Sequence, residues 1–306
     1  MSTPSSPRSR TLAPDQPGYP ARLARAPGPG PALQVLGTIG EPAQVVALVG
    51  ARAVSSAGAR RTHALAADLA RGGVAVVSGG ALGVDAAAHR GALAAGGVTW
   101  AVFGCGLDVT YPPQHAELFS EVVAGGGALI SPFPAGTMPR PGTFVARNAV
   151  VAGLADVVVV IEASARSGAL HTARAALRAG RSVGAVAGSA GCDALLAAGA
   201  AVIDDGASVA ALLAGRAQAR VATAVGAEAL ALLAQLEAEP ALELDALVRR
   251  AGAPAAAVRR RLTELEVAGL VTLGPGAWVR RTMLVAAPAC AAALASVSAP
   301  GESPCS

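Results

Sequence analysis

Lysine is absent from this 306-residue sequence, and all 24 basic residues are arginine. That excludes a P-loop of the G-x-x-x-x-G-K-[ST] type, a Schiff-base lysine and a lysine general base. Anion binding falls to arginine side chains and backbone N–H groups. Asparagine occurs once, as Asn148. Aromatic residues make up only 3% of the chain, so the core must be built from Ala, Val and Leu. The four cysteines, Cys105, Cys192, Cys290 and Cys305, show no C-x-x-C spacing. Neither a zinc site nor a disulfide framework is indicated, no metal or cofactor is implied, and reduced thiols in a cytoplasmic protein are expected. A membrane span is not expected either, because the apolar run Met283 to Val297 contains Pro288 and is rich in small residues.

What is present is a 53% hydrophobic chain of net charge +4, long enough for one large domain and a smaller one. The modest positive charge suits a polyanionic partner without demanding one. Residues 1–18 read as a disordered leader without a signal-peptide core. From Val45 onward, short β-branched runs alternate with amphipathic Ala/Arg-rich stretches, as parallel strands joined by crossover helices do. Strands are expected at 45–50, 74–79, 100–106, 127–132, 156–163 and 182–188. The fold class is α/β, a Rossmann-like doubly wound, mostly parallel sheet spanning 19–216 with a lead-in over 19–44. A linker at 217–225 precedes a small winged-helix domain at 226–282, and 283–306 reads as a flexible tail. In that second domain, helices are expected at about 226–238, 243–251 and 254–268, then two strands around a Gly-Pro-Gly turn. Val258, Leu262 and Leu265 fall on one apolar face of the third helix, and Arg259, Arg260 and Arg261 point elsewhere. Those arginines are either a DNA-reading surface or a solvated face of a protein-interaction module.

The glycine-containing turns carry the chemistry. Gly50 and Arg52 follow the first strand, where a turn and a helix start present free N–H groups to a phosphate. Ser78, Gly79 and Gly80 end the second strand, and their G-G-x-x-G spacing lets a backbone approach a ligand without matching the dinucleotide fingerprint. Asp85 and His89 lie four apart on the next helix, either an acid/base or metal pair or, better, a structural hydrogen bond. Phe144, Arg147 and Asn148 form F-x-x-R-N at a helix start. There an arginine fork and an amide suit a phosphate and a base edge, and the ring is either a stacking platform or core. Ser167 and Gly168 follow the central strand, at the sheet end where ligands sit.

In order, G-A-R at 50–52, SGGALGVDAAAH at 78–89, GCGLDVTYP at 104–112, F-x-x-R-N at 144–148 and EASARSGALHTA at 162–173 followed by AGR at 179–181 resemble the DNA-processing protein A family, also called DprA or Smf. The resemblance extends from YPARL at 19–23 through the winged helix to about residue 282. It implies a non-enzymatic Rossmann-like protein that binds single-stranded DNA, self-associates and helps load RecA recombinase during natural transformation. On that resemblance Arg52 and the glycine-rich turns hold DNA phosphates, Arg140 adds a backbone contact, and a homodimer forms through 192–213, with Leu195, Leu196, Val202 and Ile203 as apolar candidates. The chain departs from the family pattern at Ala149, where an arginine is usual, and at Ser131-Pro132 and Ala187-Gly188. On that resemblance, the helical N-terminal domain of many members is expected to be absent or reduced to the leader. Nucleotide phosphoribohydrolases of the same Rossmann variant offer an enzymatic alternative, but Arg147 stands where their carboxylate is expected. A nucleotide-sensing regulator that uses its winged helix on duplex DNA is a further alternative.

Overall fold

Val45–Val49 and Val157–Val160 are apolar and buried at every position, a pattern that requires cover on both faces of a strand. The protein is described by a computed structural model for residues 9–26, 28–215, 227–238, 241–267, 271–273 and 278–281. The two valine runs are adjacent central strands of a nine-stranded sheet. In chain order its strands are β1 (Arg10–Leu12), β2 (Leu33–Gly37), β3 (Val45–Val49), β4 (Ala75–Ser78), β5 (Thr99–Val102), β6 (Ala128–Ser131), β7 (Val157–Val160), β8 (Ser182–Ala185) and β9 (Ala201–Val202). Their spatial order is β1-β2-β6-β5-β4-β3-β7-β8-β9. From β6 to β9 all pairs are parallel, whereas β1 and β2 are antiparallel to their neighbours. The chain steps outward from β3 through β4, β5 and β6, then returns to lay β7 on the other side of β3. Such a reversal opens a crevice between the strand ends.

Connecting helices are α1 (Ala21–Ala24), α2 (Ser56–Arg71), α3 (Val84–Ala94), α4 (Ala116–Ala124), α5 (Pro141–Leu154), α6 (Ala169–Arg178), α7 (Ala190–Ala197) and α8 (Gly206–Leu213). Leu65 and Leu69 of α2, Val84 and Ala88 of α3, and Val209 and Leu212 of α8 pack on Val46, Leu48, Val76, Val157 and Val159 as one core. Helices α5 and α6 pack on each other and against β3 and β7. Asp156, just ahead of β7, accepts from Arg22 Nε at 2.9 Å and from the Val45 N–H at 2.8 Å, which fastens α1 to the foot of the two central strands.

All six expected strands are present, shortened where the chain turns away at their C-terminal ends. Three others were not expected. β1 corrects the disordered-leader reading of 1–18: Arg10, Thr11 and Leu12 pair with Val35, Gln34 and Leu33, because the open edge of β2 offers a ladder that Leu12 completes by burial. At the opposite edge, Leu195 and Ile203 are 5% and 1% exposed, so these two self-association candidates belong to the core. Leu196 is half-buried, and Val202 on edge strand β9 is 54% exposed.

The chain divides into two compact units, Met1–Leu230 and Ala231–Ser306. The second carries α10 (Leu244–Ala251), α11 (Ala255–Val267) and a three-stranded antiparallel sheet, β10-β12-β11, from β10 (Ala241–Glu243), β11 (Val271–Leu273) and β12 (Trp278–Arg281). Helix α9 (Ala227–Ala238) leads into it. Val258, Leu262 and Leu265 are buried and Arg259 and Arg260 exposed, as the helical spacing predicts. The leader's first eight residues, the 217–225 linker, the Gly-Pro-Gly turn and the 283–306 tail lie outside the described residues. Among the described residues, no helix is long and apolar enough to cross a membrane.

Asp85 and His89 do not bond to each other. Thr99 Oγ1 donates to the Val76 carbonyl at 2.9 Å, so it must accept the 2.7 Å contact from His89 Nδ1, which fixes the neutral Nδ1–H tautomer. Burial first, and then neighbouring His115, Arg147 and Arg90, push the His89 pKa down to about 3. The folded value lies below the unfolded one, so the unfolded chain takes the proton first as pH falls. Stability from this residue is complete above about pH 6.5 and is lost toward pH 3, by an amount on the order of 5 kcal/mol. Denaturant titrations across that window should show a flatter pH dependence for His89→Gln; an unchanged slope would exclude His89 as its source.

Candidate functional site

The reversal between β3 and β7 places two loops side by side at the carboxyl end of the sheet. Ala51 N–H donates to the Glu162 carbonyl at 2.7 Å, and the Glu162 carboxylate accepts from Ser55 N–H at 3.2 Å and from Ser55 Oγ at 2.8 Å. Ser55 in turn caps α2 by accepting from Gly58 N–H at 3.0 Å. The turn containing Gly50 and Arg52 is thus pinned at both ends, and Arg52 stands exposed between them. A cleft of about 880 Å³ opens here, lined by Arg52, Arg140, Arg147 and Arg166 against a single carboxyl group, Asp85. Three exposed guanidinium groups, with Arg147 and Asp85 buried beneath them, give the cleft an excess of positive charge that favours anions.

Arg147 forms the floor. It is 5% exposed, and its Nη1 donates to the Val102 carbonyl at 2.8 Å. Burial pulls its pKa down, opposed by the neighbouring Asp85, while Arg52 adds to the depression. Asp85 shows the complementary pattern: burial raises its pKa, and Arg147 and the Ala81 N–H, 3.2 Å away, oppose the rise. Gly79 lies directly over the guanidinium, where a β-carbon would overlap Arg147. Arg147 Nε is buried without a protein partner. The expected fork is therefore a buried group beneath the cleft surface, with one arm committed to the backbone.

Gly50, Gly79, Arg140, Asn148, Ser167 and Gly168 all line the cleft. Asn148 Nδ2 donates to the Gly168 carbonyl at 3.3 Å, which ties α5 to the turn that opens α6. Arg140 is exposed, and its N–H donates to Thr143 Oγ1 at 3.1 Å at the start of α5. Two expected contacts fail. Ser78 is fully buried and donates to the Leu48 carbonyl at 2.6 Å, since the last inward position of a central strand faces the core. Gly80 is buried against the Phe119 ring with its carbonyl 3.0 Å from His115 Nδ1, so it is turned away from the cleft. Phe144 is half-buried and lines the cleft, with the Arg52 guanidinium 5.0 Å from its centroid and the Tyr111 ring 5.7 Å away. Arg166 and Tyr111 were not singled out in advance, although each sits inside a recognised motif. Among the described residues no group of three His, Cys, Asp or Glu could hold a metal ion.

Fold and cleft together define a Rossmann-type protein whose switch-point crevice is lined with arginines and aromatic rings. A family model for DNA recombination-mediator protein A matches residues 10–214, and one for the DprA winged helix domain matches 216–277; the chain belongs to this family. It is 37% identical over 249 residues to a putative DNA processing protein DprA of Mycobacterium tuberculosis, covering 77% of this chain and 64% of that one. It is 42% identical over 177 residues to the Smf protein of Synechocystis, covering 56% and 44%. The chain thus spans about half to two thirds of the length of these relatives. Among solved structures, DNA processing protein A of Streptococcus pneumoniae superposes with a TM-score of 0.59 at 33% identity, covering 67% of this chain and 75% of that one. That of Helicobacter pylori, studied for its single-stranded DNA binding mode, superposes with a TM-score of 0.56 at 31% identity, covering 61% and 86%.

Gly79→Ala is expected to drive Arg147 off the Val102 carbonyl and away from Asp85, lowering stability by about 2–4 kcal/mol in denaturant melts. Gly168→Ala, at a position with open space around it and a helical backbone, should change stability by less than about 0.5 kcal/mol. Equal effects at the two glycines would show that the Arg147 seat is not specific.

Proposed function

We propose that this protein holds single-stranded DNA in the switch-point cleft, protects it, and helps load RecA recombinase during natural transformation. It does so as a cytoplasmic homodimer, without an enzymatic step. The observation that carries this reading is the four-to-one excess of guanidinium over carboxyl groups in the cleft, joined to a half-buried ring. Family membership supports it, as does the single-stranded DNA binding of the Helicobacter pylori relative. Arg52 and Arg140 contact backbone phosphates, with the turns at Gly50, Gly79, Ser167 and Gly168 admitting the strand closely. Arg147 and Asn148 hold that surface in place and reach the strand from beneath. Phe144 takes a base, once Arg52 leaves its ring for a phosphate. A general acid would need an accessible carboxyl, and Asp85 is 7% exposed beside Arg147, so a binding role fits better than hydrolysis of a nucleotide.

The first test compares single- with double-stranded oligonucleotides by fluorescence anisotropy over a salt series. Wild type should prefer the single strand, and Arg52→Ala should weaken all sequences alike and flatten the log–log salt slope by roughly 0.7. An undiminished slope would take Arg52 out of the site.

Assembly is tested at the exposed edge. Linking two clefts raises affinity for a long strand through effective concentration, with no new type of contact. A two-fold interface uses each patch twice, so one charge appears on both sides. Val202→Arg should give a folded monomer with normal affinity for short strands and weaker affinity for long ones. Sedimentation of wild type as a monomer at tens of micromolar, roughly where an ordinary homodimer persists, would remove the dimer from the proposal.

A further inference from the structure

The cleft carries more apolar surface than phosphate binding requires. Tyr111 and Val145 are 40% and 53% exposed and line it, and Met138, 55% exposed, precedes its Pro139 wall. Exposed apolar groups concentrated among arginines fit a ligand with both anionic and flat apolar parts, which is the chemistry of a nucleotide strand.

Phe144 is enclosed on several sides. Arg52 lies over its ring, Tyr111 leans on it at an interplanar angle of 42°, and it rests on Gly104, where a methyl group would come within 2.6 Å of Cδ1. A base can stack on Phe144 only after Arg52 moves. No base fits between Phe144 and Tyr111, because the rings already touch at 5.7 Å.

Tyr111 differs in that it is exposed while its loop is braced. Gly106 N–H donates to the Thr137 carbonyl at 2.9 Å, and the Asp108 carboxylate accepts from Gly136 N–H at 2.8 Å. Cys105 Sγ donates to the Val109 carbonyl at 3.4 Å. On the far side, His115 is buried with Nδ1 3.0 Å from the Gly80 carbonyl and its ring edge-on to Phe119. An exposed ring on a loop fixed at both ends loses little entropy on binding.

We infer that Tyr111 is a second base-stacking residue of the cleft, supported from behind by Phe144 and receiving the base next to the one Phe144 takes. This rests on the single-stranded DNA reading and assigns it a further contact. It also gives Phe144 a positioning role that precedes DNA binding.

The experiment uses the full chain and oligothymidine carrying 5-iodouracil, alongside a same-length oligonucleotide with abasic sites that keeps the phosphates. Irradiation of wild type should crosslink the peptide containing Tyr111 as well as that containing Phe144. Tyr111→Leu should lose about 5- to 100-fold in affinity for oligothymidine, and less than about twofold for the abasic strand. Tyr111→Phe should retain wild-type affinity for both. Crosslinks confined to other peptides, or an equal loss on both strands, would overturn the stacking assignment while leaving the DNA reading intact. Absence of wild-type binding to any single strand would overturn both. The wild-type crosslink decides the matter even if the leucine variant does not fold.

Discussion

The buried guanidinium of Arg147 is the constraint on which the cleft depends. Removing an arginine from water costs several kcal/mol unless its charge and donors are met. Here one arm meets the end of β5 through the Val102 carbonyl, and the neighbouring Asp85 at the start of α3 opposes the fall of its pKa. Because Arg147 sits on α5, the contact draws that helix over the carboxyl ends of the central strands. Gly79, at the end of β4, is the only residue type that leaves room for it. One side chain thereby ties α5 to the end of β5 and requires a glycine just past β4. Arg140 and Phe144, earlier on or beside α5, inherit their positions from this seat.

What remains exposed follows from where the acids go. Glu162 is committed to Ser55, Asp108 to Gly136, Asp193 to the Gly188 N–H and Asp205 to the Ser208 N–H. Asp156 serves Val45 and Arg22 at the far end of the strands. Carboxylates spent on backbone donors organise loops but leave Arg52, Arg140 and Arg166 facing the cleft with one buried acid among them. Loop stability and cationic surface are two consequences of one allocation of acidic groups. The same loops carry the ring of Tyr111, so the order they impose extends from charge to apolar contact.

The fold was legible where burial leaves a strong trace. Runs such as Val157–Val160 admit only a doubly covered strand, and the spacing of Val258, Leu262 and Leu265 marks one helical face. β1 and β9 were not legible: each is two or three residues long and exists because a neighbour's edge accepts it, which no local pattern encodes. At the site, motif position identified the residues that surround the cleft but not the direction of each side chain. Ser78 and Gly79 are adjacent, yet the Ser78 hydroxyl is buried on the Leu48 carbonyl, whereas Gly79, just past the strand end, lines the cleft. Arg147 was legible as an arginine that matters and illegible as a buried one, because its depth depends on an aspartate 62 positions earlier and a glycine in the turn after β4.

The scarcities of this sequence gain meaning in the cleft. A chain with four phenylalanines, two tyrosines and two tryptophans has few rings to place. Trp100, Phe103, Phe119 and Tyr19 are buried in packing, as a small-residue core requires. Phe144 and Tyr111 are instead in contact with each other in the arginine-lined cleft. The absence of lysine strengthens the coincidence, since a planar guanidinium can lie over a ring and also fork onto a phosphate, whereas an ammonium offers only a hydrated point charge. Arg52 over Phe144 is therefore an arrangement that the proposed binding mode would exchange: the cation would give up a ring for a phosphate, and the ring a cation for a base. Until such a strand arrives, the Arg52 guanidinium and the Phe144 ring cover each other. On the proposed reading, a surface that takes up bases and phosphates together is served by that pairing better than by arginines or rings alone.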